Sequence, residues 1–275
     1  RRFRMRRLLK HQLRFAQLSD ASKDLCKISN FTQGSVSKGV FALSLSVEGF
    51  QSAFRYAEMF WQGLVCTLAL SALTVLFGFI FALLLTLIRR SRFAPLRFVA
   101  TAYVEIFRAT PMMVQLFLVY YVLLAGLSLP SYKIFGFIRL ERFVPGVLAL
   151  SMNSAAYLSE IIRSGIQSID IGQTEAARSL GMTSMQTMKE IILPQAIKNI
   201  LPSIANEFVT IIKESSICWT IGVQEIMSAV NSVKSATFSI GEPLVIAACL
   251  YFCLTFPTSK IIAHFERKMR RGDNR

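Results

Sequence analysis

Long apolar runs separated by short basic or polar stretches set the pattern of this chain. Residues 59–88 carry no charged side chain and are long enough, as a helix, to cross a bilayer with tilt. The run ends in Arg89-Arg90-Ser91-Arg92, and Lys and Arg gather on the cytoplasmic side of a membrane. Residues 98–129 form a second span whose first half carries Glu105 and Arg108; Pro111 then interrupts the helix and frees backbone groups. A third span covers 143–169, with Asn153, Ser154, Glu160 and Arg163 along it. Residues 195–213 read as a polar fourth span, broken near Pro202 and buried against other helices or along a water-filled path. A fifth, 243–265, is followed by Arg267, Lys268, Arg270 and Arg271. Residues 131–142 read as an external loop and 215–240 as a mixed external segment. The pattern predicts an all-α, multi-pass membrane protein with about five transmembrane helices.

The polar stretch 170–194, between the third and fourth spans, is different. Thr183 followed by Gln186 is a capping box, which starts a helix. Gly181 just before it suits a helix stop, because glycine takes the left-handed backbone at little cost. A short helix, a sharp turn and a second helix toward Leu193-Pro194 would project into the cytoplasm as a rigid knob for a soluble partner. The other end of the chain fits the pattern less well. Residues 1–40 are a basic tail that reads equally as an interfacial amphipathic helix or as a disordered segment. Residues 40–56 read as an interfacial approach helix, so that 41–271 form one membrane domain. Five spans with the polar stretch inside place the N-terminus outside, yet that tail is the most basic segment, which conflicts with the same charge rule.

Composition narrows the function. The 275 residues are 53% hydrophobic, include 22 Phe and carry a formal net charge of +15. Nucleic-acid binding is the other common use of a basic balance, but the arginines cluster at the ends of apolar runs, so no nucleic-acid partner is expected. The five cysteines show no metal or redox spacing; Cys66, Cys249 and Cys253 sit in apolar runs, where cysteine acts as a small hydrophobe. His11 and His264 are too far apart in sequence to suggest a zinc site. No glycine-rich phosphate loop and no nucleophile–histidine set occurs, so catalytic residues are not expected.

Four segments carry a resemblance. Glu175-Ala176-Ala177, Gly181 and Ile192-Leu193-Pro194 resemble the EAA loop of ABC importer permeases. Glu105-Ile-Phe-Arg108-Ala109-Thr110-Pro111 with Gln115 looks like the E-x-F-R-G-T-P-x-x-V-Q segment of the polar amino acid permeases, the group that includes histidine, glutamine and arginine permeases. Residues 156–169, from Ala156-Tyr157 through Glu160, Arg163 and Gly165, resemble A-Y-x-x-E-x-x-R-G-G-I-Q-S-I; Asn206-Glu207-Phe208 with Lys213 and Ser216 resembles N-E-F…K-x-T/S-S. Ala109 and Ser164 stand where that pattern has glycine. The resemblance implies a type I ABC importer permease fold with a cytoplasmic EAA coupling loop (170–194), in the bacterial inner membrane. It implies an ATPase dimer as partner, with ATP and Mg bound there and no cofactor on this chain. It further implies a second permease copy or a paralogue, an extracytoplasmic solute-binding protein and a small amino acid as substrate. In that reading Glu175 pairs with a basic group on the ATPase, Ala176 and Ala177 allow close approach, and Gly181 sets the turn before Leu193 and Pro194. Two alternatives are a permease of the same fold for another small solute and a secondary transporter that needs no ATPase.

The path is less sharply marked. Asn153, Tyr157 and Glu160 share a helix face by their spacing. Thr110, Pro111 and Gln115 lie at the break in the second span. An amino acid carries an ammonium and a carboxylate, both expensive to desolvate, so a path should offer a carboxylate, neutral donors and a broken helix end. Glu160 can meet an ammonium, or it can brace Arg163 in the helix; both readings fit the sequence. Glu105, Arg108, Arg163 and Glu207 read as structural ion pairs that hold the helices together.

Overall fold

The computed structural model describes residues 45–127 and 130–271. The basic tail 1–40 therefore lies outside the described residues. A short helix α1 (Val47–Phe54) precedes the first long one, α2 (Ala57–Arg89), which at 1.5 Å per residue is about 50 Å long. The polarity of α2 is the reverse of a soluble helix. Beside the buried Phe60, Cys66 and Leu70, its buried stripe is mostly small and weakly polar, with Gly63, Thr67, Ser71, Thr74, Gly78 and Ala82 at helical spacing. Its exposed face is large and apolar, including Leu76, Phe77, Leu84 and Leu87. Lipid tails are as apolar as leucine, so helices in a membrane associate by close approach, and small residues line the contact. A Cβ on Gly78 would lie 3.2 Å from the Ser154 side chain, and one on Gly63 would lie 2.9 Å from the backbone of Glu225.

The second predicted span divides in two. Helix α3 (Ala94–Ala109) gives way at Thr110-Pro111 to α4 (Met112–Leu118), which runs into a π turn over Val119–Leu123. The two halves are bent by 117°. This corrects the reading of 98–129 as a single interrupted rod: the proline does not merely kink the helix but turns it past a right angle. A small antiparallel hairpin, β1 (Lys133–Ile134) with β2 (Ile138–Arg139), occupies the predicted loop and leads into α5 (Leu140–Gln167). Then come α6 (Ile171–Ser179) and the single turn α7 (Ser184–Gln186), which continues through a π segment Thr187–Ile192 into α8 (Leu193–Glu214). Pro202 lies inside α8 without breaking it, so the expected break there does not occur. A 3-10 stretch Ser215–Ile221, helix α9 (Ile226–Thr237) and helix α10 (Gly241–Arg271) complete the chain.

By length and apolar composition α2 and α10 each suffice to cross a membrane, and the bent α3–α4 pair adds a third crossing if counted as one span. Helices α5 and α8 reach about 42 Å and 33 Å, long enough but less apolar. Some of their polar groups face protein: Asn153 and Ser154 are buried, and the Ser154 hydroxyl donates to Glu207 Oε1 at 3.2 Å. Helix α5 lies along α2 over most of its length and is the centre of the packing. Apolar clusters form at both ends of this pair. Leu70, Leu116, Phe143, Leu150 and Cys218 fill one; Ala82, Leu158, Ile162, Ala196 and Ile200 fill the other, where α8 packs in. A third cluster joins α1 and the start of α2 to α9 and α10.

Candidate functional site

The corner between α3 and α4 is built from its backbone outward. Thr110 is extended (φ −111°, ψ 145°), as the residue before a proline prefers. The last carbonyls of α3 then have no helical partner and need another donor. The Thr110 hydroxyl donates to the Ile106 carbonyl at 2.8 Å. The Gln115 amide nitrogen donates to the carbonyls of Phe107 (2.7 Å) and Thr110 (2.9 Å) and lies 2.8 Å from Thr110 Oγ1. Asn153 Nδ2 on α5 donates in turn to Gln115 Oε1 at 2.7 Å. Both amides are buried, at 5% and 6% exposure. The structure thus brings Thr110, Pro111, Gln115 and Asn153 together, as the sequence suggests. Their donors are used, however, in closing the corner and fastening it to α5.

The other two path candidates sit further along α5. Tyr157 is 39% exposed, and the guanidinium of Arg108 lies 5.8 Å from its ring centroid. Among the described residues Arg108 pairs with a ring and with no carboxylate, contrary to its assignment as an ion-pair residue; guanidinium–ring contacts of this kind are attractive. Glu160 lies at the centre of an ion-pair network. Its Oε2 accepts from Arg89 Nη1 at 3.0 Å, and its Oε1 accepts from Arg163 Nε at 2.9 Å. Arg163 also donates to Gln167. One carboxylate thus ties the end of α2 to α5. Glu105 is exposed on α3, and Glu207 accepts from Ser154; among the described residues neither forms an ion pair, contrary to expectation. Arg89 was legible only as a marker of the cytoplasmic side. Its contact with Glu160 spans 71 positions, and no local spacing signals it.

The segment 170–194 forms the predicted turn in detail. Asp170 caps α6, its side chain accepting from Gly172 N at 2.7 Å. The helix ends in a Schellman arrangement, with Met182 N–H donating to Ala177 O (3.1 Å) and Gly181 N–H to Arg178 O (3.0 Å). Gly181 sits at φ +83°, where a side chain would be strained. Thr183 and Gln186 then form a complete capping box. Ala177 and Thr187 are buried where α6 folds back on the π segment, while Glu175, Ala176, Leu193 and Pro194 are exposed. Three large apolar side chains also stand free around the turn: Ile171 at 73%, Leu180 at 84% and Met185 at 75% exposure. Sequence reasoning singled out none of these three, although apolar residues in an otherwise polar stretch were the available signal.

Comparison with known proteins agrees with this architecture. A family model described as the inner membrane component of binding-protein-dependent transport systems matches residues 74–271. The arginine transport system permease protein ArtQ of Bacillus subtilis (strain 168) is 41% identical over 224 residues, covering 82% of this chain and 98% of that protein. The nopaline transport system permease protein NocM of Agrobacterium fabrum (strain C58) is 38% identical over 198 residues, 71% of this chain and 81% of that one. Among solved structures, an amino acid ABC transporter crystallised with histidines superposes with a TM-score of 0.74 at 41% identity, over 82% of this chain and 100% of the other. The MetNI methionine transporter in an inward-facing form shares the fold at 20% identity, with a TM-score of 0.56 over 76% and 96% of the two chains.

Proposed function

The chain belongs to the inner membrane components of binding-protein-dependent transport systems and is a permease subunit, not an enzyme; from that footing we propose that it moves a polar amino acid inward by alternating access, coupled to a separate ATPase through the 170–194 turn. The observation that carries the coupling is the knob itself. A rigid, doubly capped turn that exposes Ile171, Leu180 and Met185 beside Glu175 has the composition of a docking surface, since soluble-facing apolar side chains in a group mark a partner site. Ala177 holds the knob to the chain, and Ala176 keeps its outer face low enough for close approach. ATP and Mg would be held by the ATPase dimer, in line with the lack of a phosphate loop on this chain. A solute-binding protein would deliver substrate from outside, and a second copy of this chain or a paralogue would complete the transmembrane pathway.

The substrate class is carried over from ArtQ and from the amino acid transporter structure. Within this chain, Tyr157 is the path candidate whose side chain stays exposed, and Arg108 beside it joins the set: the guanidinium suits an amino acid's carboxylate and the ring face its ammonium. Proteoliposomes containing the permease, its ATPase and its binding protein test the proposal. ATP-driven uptake of labelled arginine, with competition by other polar amino acids, is expected. Leu180→Glu should abolish uptake and ATPase retention together while leaving the melting temperature unchanged. A variant that keeps the ATPase bound and active would overturn the docking role.

A further inference from the structure

A cleft of about 420 Å³ opens between the end of α2, the start of α3 and the end of α5, beside Met188 of the π segment. Its polar lining is dominated by four guanidinium groups, those of Arg89, Arg90, Arg97 and Arg163. Among the described residues the one carboxylate in contact with any of them is Glu160, which bridges Arg89 and Arg163; Glu105 acts on Arg163 only from further away. Four cations against one contacting carboxylate leave three positive charges unneutralised. Among the described residues Arg90 and Arg97 have no acidic partner, although like charges in a shared cleft repel. The hydroxyls of Thr86 and Ser159 are committed to carbonyls of their own helices and Gln167 accepts from Arg163, so the charged groups of the lining are all cationic, with the neutral Thr101 and Gln167 beside them.

The surroundings supply a second observation. Leu87 and Leu96 are 68% and 46% exposed, and Phe93 and Phe98 are 60% and 73% exposed, on the same two helix ends. An apolar surface beside a cationic cleft fits an amphiphile. The cleft lies where the apolar length of α2 stops, at the end marked cytoplasmic by its arginines, and there the headgroups of anionic lipids are found. Arginine forks match phosphate oxygens in bidentate fashion, better than a point charge does. We infer that this cleft binds a phosphate-type anion, carried by an anionic phospholipid of the cytoplasmic leaflet. Arg90 and Arg97 would hold the phosphate, Arg89 and Arg163 would be kept in place by Glu160, and the acyl chains would lie on the leucines and phenylalanines alongside. Free inorganic phosphate shares the same chemistry and is the alternative source. The inference does not depend on which solute the permease moves.

Thermal melting of the full-length chain in an uncharged detergent tests it, with added phosphatidylglycerol, phosphatidylcholine or inorganic phosphate. Phosphatidylglycerol should raise the melting temperature of the wild type by several degrees, as a ligand specific for the folded state does. Phosphatidylcholine, whose headgroup is neutral overall, should do much less. In the double variant Arg90→Gln/Arg97→Gln the phosphatidylglycerol effect should vanish. Arg92→Gln, a charge loss at the same helix junction but outside the cleft lining, should retain it. If the double variant melts abnormally without lipid, native mass spectrometry of Arg97→Gln reads the site directly, and bound phosphatidylglycerol should fall about tenfold. Equal protection of wild type and double variant would overturn the site. Equal protection of the wild type by inorganic phosphate would overturn the lipid source and assign the cleft to the free anion.

Discussion

Glu160→Gln separates the two roles that a carboxylate at this position can have. The substitution keeps the side chain's shape and removes the charge that both Arg89 and Arg163 contact. Arg89 is the partner that matters more, because its side chain is 15% exposed and Glu160 is 19% exposed, whereas Arg163 is 43% exposed. Removing one partner of a fully buried pair costs about 3–5 kcal/mol, and an exposed pair is worth about 1 kcal/mol or less. A pair with this intermediate burial should therefore lose about 2 kcal/mol. For a membrane domain of this size that corresponds to a fall in melting temperature of roughly 4–8 °C. The assay is thermal unfolding of the purified chain in one detergent, paired with uptake measured over a range of substrate concentrations. Arg89→Gln should cost a similar amount, and the double variant Arg89→Gln/Glu160→Gln should be less unstable than the sum, with a coupling of about 1 kcal/mol. Uptake should fall in its maximum rate with little change in KM. A variant that melts like the wild type but needs about tenfold more substrate would refute the bracing role and place Glu160 in contact with the solute.

Three further outcomes follow from the same packing. Gln115→Leu leaves the Phe107 and Thr110 carbonyls and the Asn153 amide without their partner, and should cost about 2 kcal/mol by thermal unfolding; an unchanged melt would mean water serves the corner equally well. Gly78→Val drives a branched side chain into Ser154 and should destabilise by about 1–3 kcal/mol, whereas Leu76→Val, on the exposed face of α2, should be nearly silent. A cysteine at Ser91 should be labelled by an impermeant reagent only from the cytoplasm, and one at Ser131 only from outside; cytoplasmic labelling at 131 would reverse the order of the spans.

What the sequence shows of this fold divides by the range of the interaction. The turn at 181–186 was legible to the residue, because a Schellman end and a capping box are fixed by neighbours within a few positions. The length and emptiness of charge of α2 were equally plain. The stripe of α2 that faces protein was not singled out, because burial in a membrane inverts the usual sign and most of the large apolar residues in its second half point away from the core. At the candidate path, the sequence pointed to residues that meet in space but not to their bonds. Thr110, Gln115 and Asn153 look like free donors for a solute in one dimension; in three Thr110 and Gln115 satisfy carbonyls at the end of α3, and Asn153 donates to the Gln115 side chain. The sharpness of the turn at Pro111 was missed for a related reason: a proline announces a break, but the angle is set by what the two halves pack against, here α5 on both sides.

The two prolines beyond the knob show the limit of local rules most clearly, and they bear on coupling. A proline removes one helical hydrogen bond and crowds the preceding turn, so Pro194 and Pro202 each invite a break. At Pro194 the chain widens into π turns over Thr187–Ile192 just before the ring, a local adjustment that lets the helix proceed. Past it, α8 continues as one helix through Pro202 to Glu214, its buried side held by Ala196, Ile200, Ile211 and Ile212. A break at Pro202 would have left the knob on a loose joint, able to follow an ATPase without moving the membrane helices. A continuous α8 cannot absorb such a displacement along its length. Whatever moves Leu193 moves a rod packed against α5, α2 and α10. The Arg89–Glu160–Arg163 network clamps α2 to α5 at the end where the knob joins α8, so a push on the knob meets a braced pair of helices and not a single yielding one. On the proposed function this makes the π segment the compliant element of the link, and a substitution that straightens it changes the coupling between ATP hydrolysis and uptake before it changes either the fold or the docking surface.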